Sequence, residues 1–453
     1  MREEFLGFIE AASTTGESLA NYLLEFLTAN NIDITKMKGQ GYDGASNMSG
    51  KYNGVQAIIA KKVPDAVYVH CKAHCLNLSI MKACKEPLVR NTLGTVQDIA
   101  FAFHYSSKRL VALQFEIAND AMAKAQLEHR TKLQTLCETK WASRSEALFT
   151  FKASFTSVCQ ALEQLELSGD SKARSHLRSI TSFDFIVSLV VCEHVLQATT
   201  ALSVYLQGKS CDLLEAVRES MSVIRILKDE RNDDNEWQAL FDVAVEMAEN
   251  VGVVPSKPRV TSQQIHRVNV PSASVSEYWK RALYYPLIDH LLEDLETRMI
   301  KPSARFVAQN LLPSTVAKIT EQDTNDIFVQ YQGGLTVSKA GFQYEVKRWV
   351  ARWSLESSKP DSLQKTIERT EPALFPSIFA ILLILLTMPV SSSSAERSFS
   401  VMKRVKTYLR STMTTDRLSG LCVLHGQKDK KIDVSEVITK FADRKCRMAL
   451  IFE

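Results

Sequence analysis

Residues 39–79, GQGYDGASNMSGKYNGVQAIIAKKVPDAVYVHCKAHCLNLS, constrain this chain more than any other stretch. A short β-type run, Ile32 to Tyr42, delivers Asp43 into Gly44-Ala45-Ser46-Asn47. Small residues there let the backbone turn tightly and present a carboxylate at a strand end. A helical pattern follows, with Val55, Ile58, Ile59 and Lys62 on one face and Pro64 closing it. A second β run, Ala66 to His70, leads into Cys71-Lys72-Ala73-His74, and Leu76, Ile80 and Met81 suit a following helix. Strand, helix, strand, helix is an α/β unit. Asp43 also fits ordinary turn or helix N-cap chemistry, and spacing alone does not choose between that and a catalytic carboxylate.

The rest of the chain is ordinary in bulk. With 453 residues, 45% hydrophobic and 23% charged, it has material for two to four globular domains. Lys plus Arg number 55 against 51 Asp plus Glu, a net +4. That balance permits nucleic-acid binding without arguing for it. Nine scattered cysteines and no signal-peptide pattern predict a reducing intracellular compartment. The apolar run Ile378 to Leu386, between Pro376 and Pro389, is well short of the roughly 20 residues that a membrane span needs, and predicts a buried helix and no membrane partner.

Local patterns place the remaining elements. Glu4 to Glu10 reads as a short strand, and Thr14 with Glu17 as a capping box for a helix striped by Leu19, Tyr22, Leu23, Phe26 and Leu27. Residues from about Phe101 to Leu227 are helical in pattern throughout. Lys228 to Glu236, KDERNDDNE, and Pro255 to Ala273 read as linkers. Ser274 with Glu277 caps a helix carrying Tyr278, Trp279, Ile288, Leu291, Leu292 and Leu295, which Pro286 is expected to kink. Near the end, Pro389 and the serines at 391–394 start a helix presenting Glu396, Phe399, Met402 and Val405. Thr415 or Asp416 opens a last helix, with Leu418, Leu421, Cys422 and Leu424, that ends at Gly426. Cys71 and His74 form a C-x-x-H, but a structural zinc needs four ligands and no second pair follows at finger spacing, so zinc is not expected there.

The segments GQGYDGASNMSGKYNGVQA and YVHCKAHCLNL resemble the ribonuclease-H-like core of hAT-superfamily DNA transposases, in the branch of zinc-finger MYM-type and 52 kDa repressor-like proteins. Residues Phe375 to Gly426 resemble the hAT C-terminal dimerisation region. The resemblance implies a mostly α variety of α/β fold, an incomplete ribonuclease-H-like core interrupted by a large all-helical insertion. Residues 1–100 would be the partial core lacking its first two strands. Residues 101–374 would be the insertion, with linkers near 228–236 and 255–273, and 375–453 the dimerisation region completing the core. Loss of those strands would leave the Phe5 to Glu10 strand separated and the Lys36 to Tyr42 strand with an open edge, a feature that recruits other chains.

The same resemblance assigns roles. Asp43 and Glu396 match two of the three carboxylates that hold Mg²⁺ or Mn²⁺ in an active enzyme of this kind; no match to the first Asp is found, so no cofactor is expected in this chain. Cys71 and His74 would lie beside the catalytic pocket and contact DNA. Lys140 and Arg144 would contact phosphate, and Trp141 would stack on an exposed base, worth roughly 1 to 3 kcal/mol, unless it is a core residue. The expected protein is a domesticated, transposable-element-derived one of nuclear, otherwise cytoplasmic, location. It would be catalytically incomplete, acting through dimerisation of its C-terminal region and DNA contact. The alternatives are an active metal-dependent transposase or nuclease, if a strand with the first Asp is supplied, and a regulatory protein-binding module.

Overall fold

A computed structural model of the chain describes residues 3–136, 142–208, 211–258, 271–300, 304–360, 362–407, 412–426 and 431–442. The fold is mostly α with one small parallel sheet, and it divides into two compact units: residues 35–392, and residues 1–34 together with 393–453.

In the larger unit, β1 (Gly39–Tyr42) pairs in parallel with β2 (Val67–His70), with Gly39 opposite Val67 and Tyr42 opposite His70. The β-type run expected from Ile32 narrows to these four residues, because Ile34–Lys36 coil into a 3-10 turn. Alternation along the strands sorts the faces. Gly39 and Gly41 lie under Met388 and Pro389, and Val69 joins Met388 and Val390 in the core. Gln40, on the other face, is buried and donates to the carbonyls of Gln56 and Ala66, tying β1 to the Val55–Lys62 helix.

The helical mass of this unit is organised around Phe183–Gln197, in which twelve residues are buried, from Phe183 to Leu196. A helix apolar all round must be enclosed by others, and this one packs against Pro87–His104, Ala142–Ala153 and Asp234–Glu249. No single described helix is long and apolar enough to cross a membrane. A second core gathers Phe342, Trp349, Trp353 and Phe375 around the Pro376–Thr387 helix. There the buried carboxylate of Glu345 accepts the Ile378 amide at 3.0 Å, satisfying one of the donors that a helix start leaves open.

Two readings of this unit are corrected. The segment 228–236 is not a loop: Leu213–Asn232 and Asp234–Glu249 are helices separated by Asp233 alone, whose side chain caps the second. Charged residues are competent helix formers when paired, and Lys228 bonds Glu296 while Arg231 clasps Asp289. At Pro286 the outcome is a local widening: Lys280–Tyr284 is a π-helical turn ahead of Tyr285–Leu295, which accommodates a residue without an N–H. Ser274 caps this element as expected, accepting from the Glu277 amide at 3.0 Å.

The smaller unit contains Gly16–Ala29, Ser393–Val405, Thr415–Gly426 and Val434–Ala442. Residues 4–10 form neither helix nor strand. They are instead held by side chains: the Phe8 amide donates to Ser419 Oγ at 3.0 Å, and the Phe8 and Phe399 rings lie 5.8 Å apart. The N-cap of the first helix is Thr15, not Thr14. Thr415–Gly426 is not the last helix, since Val434–Ala442 follows.

Candidate functional site at the carboxyl edge of the parallel strands

Asp43 and Cys71 follow directly on β1 and β2, so both leave the sheet at its carboxyl edge, where α/β folds place ligands. Asp43 is exposed, and its Oδ1 accepts the Ala45 amide at 3.1 Å, closing the tight turn that the small residues permit. Tyr68 reaches over from β2 and donates its hydroxyl to the Asp43 carbonyl at 3.3 Å.

Four rings line the face of the sheet away from the core. Tyr42 stacks on Tyr68 at 6.1 Å, Tyr68 on His70 at 6.2 Å, and His70 on His74 at 5.7 Å. A Cβ on Gly44 would come within 3.1 Å of His70 Nε2 and 3.3 Å of His74 Nε2, so the Asp43 turn and both imidazoles converge on one spot. His70 Nε2 is buried without a hydrogen-bond partner among the described residues. Burial lowers the His70 pKa, reinforced by His74, Arg298 and Lys72 and opposed by Asp43. Burial pushes the Tyr68 phenol up to about 12, with Cys75, Asp43 and Cys71 adding to it. Tyr68 and His70 therefore present neutral faces at neutral pH.

Cys71 and His74 serve different ends. The Cys71 sulfur is buried and accepts from the amides of His74 at 3.4 Å and Ser392 at 3.2 Å, so it caps the Lys72–Ala83 helix and anchors the 389–392 segment. His74 is half-buried, with its ring turned to the Asp43 side. Between them, Lys72 is buried and donates to the carbonyls of Arg298 and Met299 at 3.0 and 3.1 Å, closing the end of the Glu296–Ile300 turn. Its pKa is lowered by burial.

The other candidate residues lie elsewhere. Arg144, near the start of Ala142–Ala153, is half-buried with a guanidinium nitrogen 3.6 Å from the Met81 sulfur. Burial raises the Cys84 thiol to about 11 against the lowering effect of Arg144. Lys140 and Trp141 lie outside the described residues. Glu396 is exposed in the first turn of Ser393–Val405 and belongs to the smaller unit, whereas Asp43 belongs to the larger. Tyr42, Tyr68, His70 and Lys72 escaped sequence reasoning. The Val-Tyr-Val-His alternation was the available signal, since period two puts Tyr68 and His70 on one face.

A parallel strand pair with an acid at its carboxyl edge, embedded in a large helical body, agrees with the mostly α variety of α/β fold that the sequence resemblance implies. Residues 1–54 match the profile of the ZMYM1/FAM200, RNase-like domain, and residues 361–425 that of the hAT family C-terminal dimerisation region. These two matches support a hAT-derived origin for the chain. It is similar to the human 52 kDa repressor of the inhibitor of the protein kinase, 24% identical over 459 residues that cover 97% of this chain and 59% of that protein. The mouse protein of the same name is 24% identical over 460 residues, covering 97% of this chain and 60% of that protein. The chain thus spans less than two thirds of the length of the curated relatives it matches.

Proposed function

We propose that the 453-residue chain is a transposase-derived association module that self-associates through its C-terminal region and does not cleave DNA by itself. One observation carries this reading: among its described residues, the smaller unit buries few apolar side chains and leaves many open. It buries Ala20, Leu24, Leu418 and Cys422, yet leaves Phe399 56%, Leu424 55%, Val437 52% and Phe441 53% exposed. Apolar side chains left open on three helices of one unit offer material for an interaction surface. Within Phe375 to Gly426, the stretch that resembles the dimerisation region, Leu382, Leu385 and Leu418 are buried, Phe379 and Leu421 are half-buried, and Phe399 is open.

The catalytic half of the reading rests on the carboxylates. Asp43 and Glu396 are the two acids that match the resemblance, and two carboxylates cannot complete a two-ion clamp. His74 and Arg144 are proposed as DNA contacts, with nuclear residence following from that role. The relatives' name, a repressor of an inhibitor, favours a second reading in which the open apolar face serves a regulatory protein partner. The test is a nicking assay on supercoiled plasmid with Mg²⁺ or Mn²⁺. Unchanged plasmid is expected; metal-dependent nicking that disappears in Asp43→Ala overturns the proposal.

A further inference from the structure

Away from the sheet, three helices of the larger unit bring one imidazole and two carboxylates together. His194 comes from Phe183–Gln197, Glu230 from Leu213–Asn232 and Glu236 from the first turn of Asp234–Glu249. His194 Nε2 lies 3.1 Å from Glu230 Oε2 and 3.7 Å from Glu236 Oε1, and the three ligand atoms are all within 4.8 Å of one another. The side chains are 24%, 23% and 37% exposed, so the cluster is partly withdrawn from water but open to an ion.

The surrounding charges make the trio unusual. Neighbouring acids are matched: Asp234 with Lys280, Asp229 with Arg225 at 3.8 Å, and Asp289 with Arg231. Asp233 Oδ1 accepts the Asn235 amide at 2.8 Å. Among the described residues neither Glu230 nor Glu236 has a Lys or Arg partner; both face His194. One protonated imidazole would offset only one of the two negative charges. The excess is felt by the buried ring of Tyr284, whose phenol is pushed up by burial and then by Glu230 and Glu236, while its hydroxyl donates to the Glu230 carbonyl at 3.2 Å.

We propose that His194, Glu230 and Glu236 form a structural site for a divalent cation of the zinc class, completed by water. Bonds of about 2.0 to 2.1 Å in a tetrahedron space the donors about 3.3 Å apart, and the two observed separations bracket that value. One imidazole nitrogen with two carboxylate oxygens suits a borderline ion such as zinc rather than a soft one. The ion neutralises both acids and ties together three helices that otherwise meet through their apolar faces. The site is distinct from the C-x-x-H at Cys71 and His74.

The experiment titrates zinc chloride into chelator-dialysed full chain by calorimetry, with thermal melts alongside. Three variants accompany it: Glu236→Gln, His194→Asn, and the Cys71→Ser/His74→Ala double mutant. One zinc per chain is expected, with a Tm that rises with zinc. Binding should weaken at least about tenfold in both Glu236→Gln and His194→Asn, since loss of a direct ligand costs no less than loss of its supporting partner. The double mutant should bind as the parent does. Glu236→Gln is isosteric and lies at a half-exposed helix start, so melts in chelator separate a folding defect from lost affinity. Absence of saturable binding, or binding unaltered by Glu236→Gln, overturns the proposal, as does binding lost only in the double mutant.

Discussion

Gly41 packs beneath Pro389 so closely that a Cβ on it would lie 2.7 Å from the proline Cβ. This contact sets the course of the chain between the Pro376–Thr387 helix and the end of β2, where Val390 accepts the Lys72 amide at 2.8 Å. Gly41→Ala is therefore expected to overpack the strand and destabilise by about 1 to 3 kcal/mol. Gly94, inside Pro87–His104, has nothing within 4 Å of the corresponding position. Gly94→Ala should stabilise by about 0.5 to 1 kcal/mol, because alanine relieves the entropic cost of glycine in a helix. Chemical denaturation of both variants checks the pair; equal effects would remove the Pro389 contact from the account.

His70 makes part of the stability depend on pH. Its folded-state pKa lies below the ordinary 6.5, chiefly through burial, so the unfolded chain binds the proton more readily. The contribution is fully present above pH 6.5 and is lost as pH falls from there through the folded pKa. His176 is shifted the same way, again first by burial. Melts of wild type and His70→Asn between pH 5 and 8 should converge at the acid end. A difference constant across that range would show that His70 protonates freely in the fold.

Asp170 supplies the opposite case. Arg109 donates to both its oxygens, at 2.7 and 3.0 Å, and its carboxyl is held down to about 2, first by that guanidinium, against burial, and by the amides of Ala173 and Lys172. Both side chains are less than a fifth exposed. Its stabilisation is present above the unfolded value near 4 and lost as pH falls toward 2. At neutral pH, Asp170→Ala removes an ion pair and the cap of Ser171–Ile180 together, and should cost about 1 to 2 kcal/mol by denaturant titration. Asp170→Asn, which keeps a capping oxygen, should cost less.

Lys72 is buried, and its ammonium closes two carbonyls of the Glu296–Ile300 turn. Lys72→Met leaves both carbonyls buried without a donor, and a loss of about 2 to 4 kcal/mol is expected. Hydrogen exchange should localise the loosening to residues 296–300 and the start of the Lys72–Ala83 helix. A uniform change across the larger unit would contradict a local clasp.

The strand, helix, strand, helix order around Asp43 was legible because each element carries its own period and a Gly, Pro or Cys boundary. The serine cap at Ser274 was legible for the same reason. Residues 228–236 are misread because they carry no apolar stripe, while the charged residues there are intrinsic helix formers whose partners, Asp289 and Glu296, are distant in sequence. Residues 4–10 were misread because Phe5, Leu6, Phe8 and Ile9 read as a strand, while their partners turned out to be side chains of the C-terminal helices. The His194 cluster had no sequence signature, since its three ligands come from three helices with no motif spacing.

The central claim is association through the C-terminal region, and light scattering coupled to size exclusion tests it most directly. At micromolar concentration the full chain is predicted to elute with twice its 50.9 kDa mass, and Phe399→Glu with Phe441→Glu to shift it toward monomer without loss of helix content. A full chain that remains a monodisperse 50.9 kDa monomer at those concentrations contradicts the account.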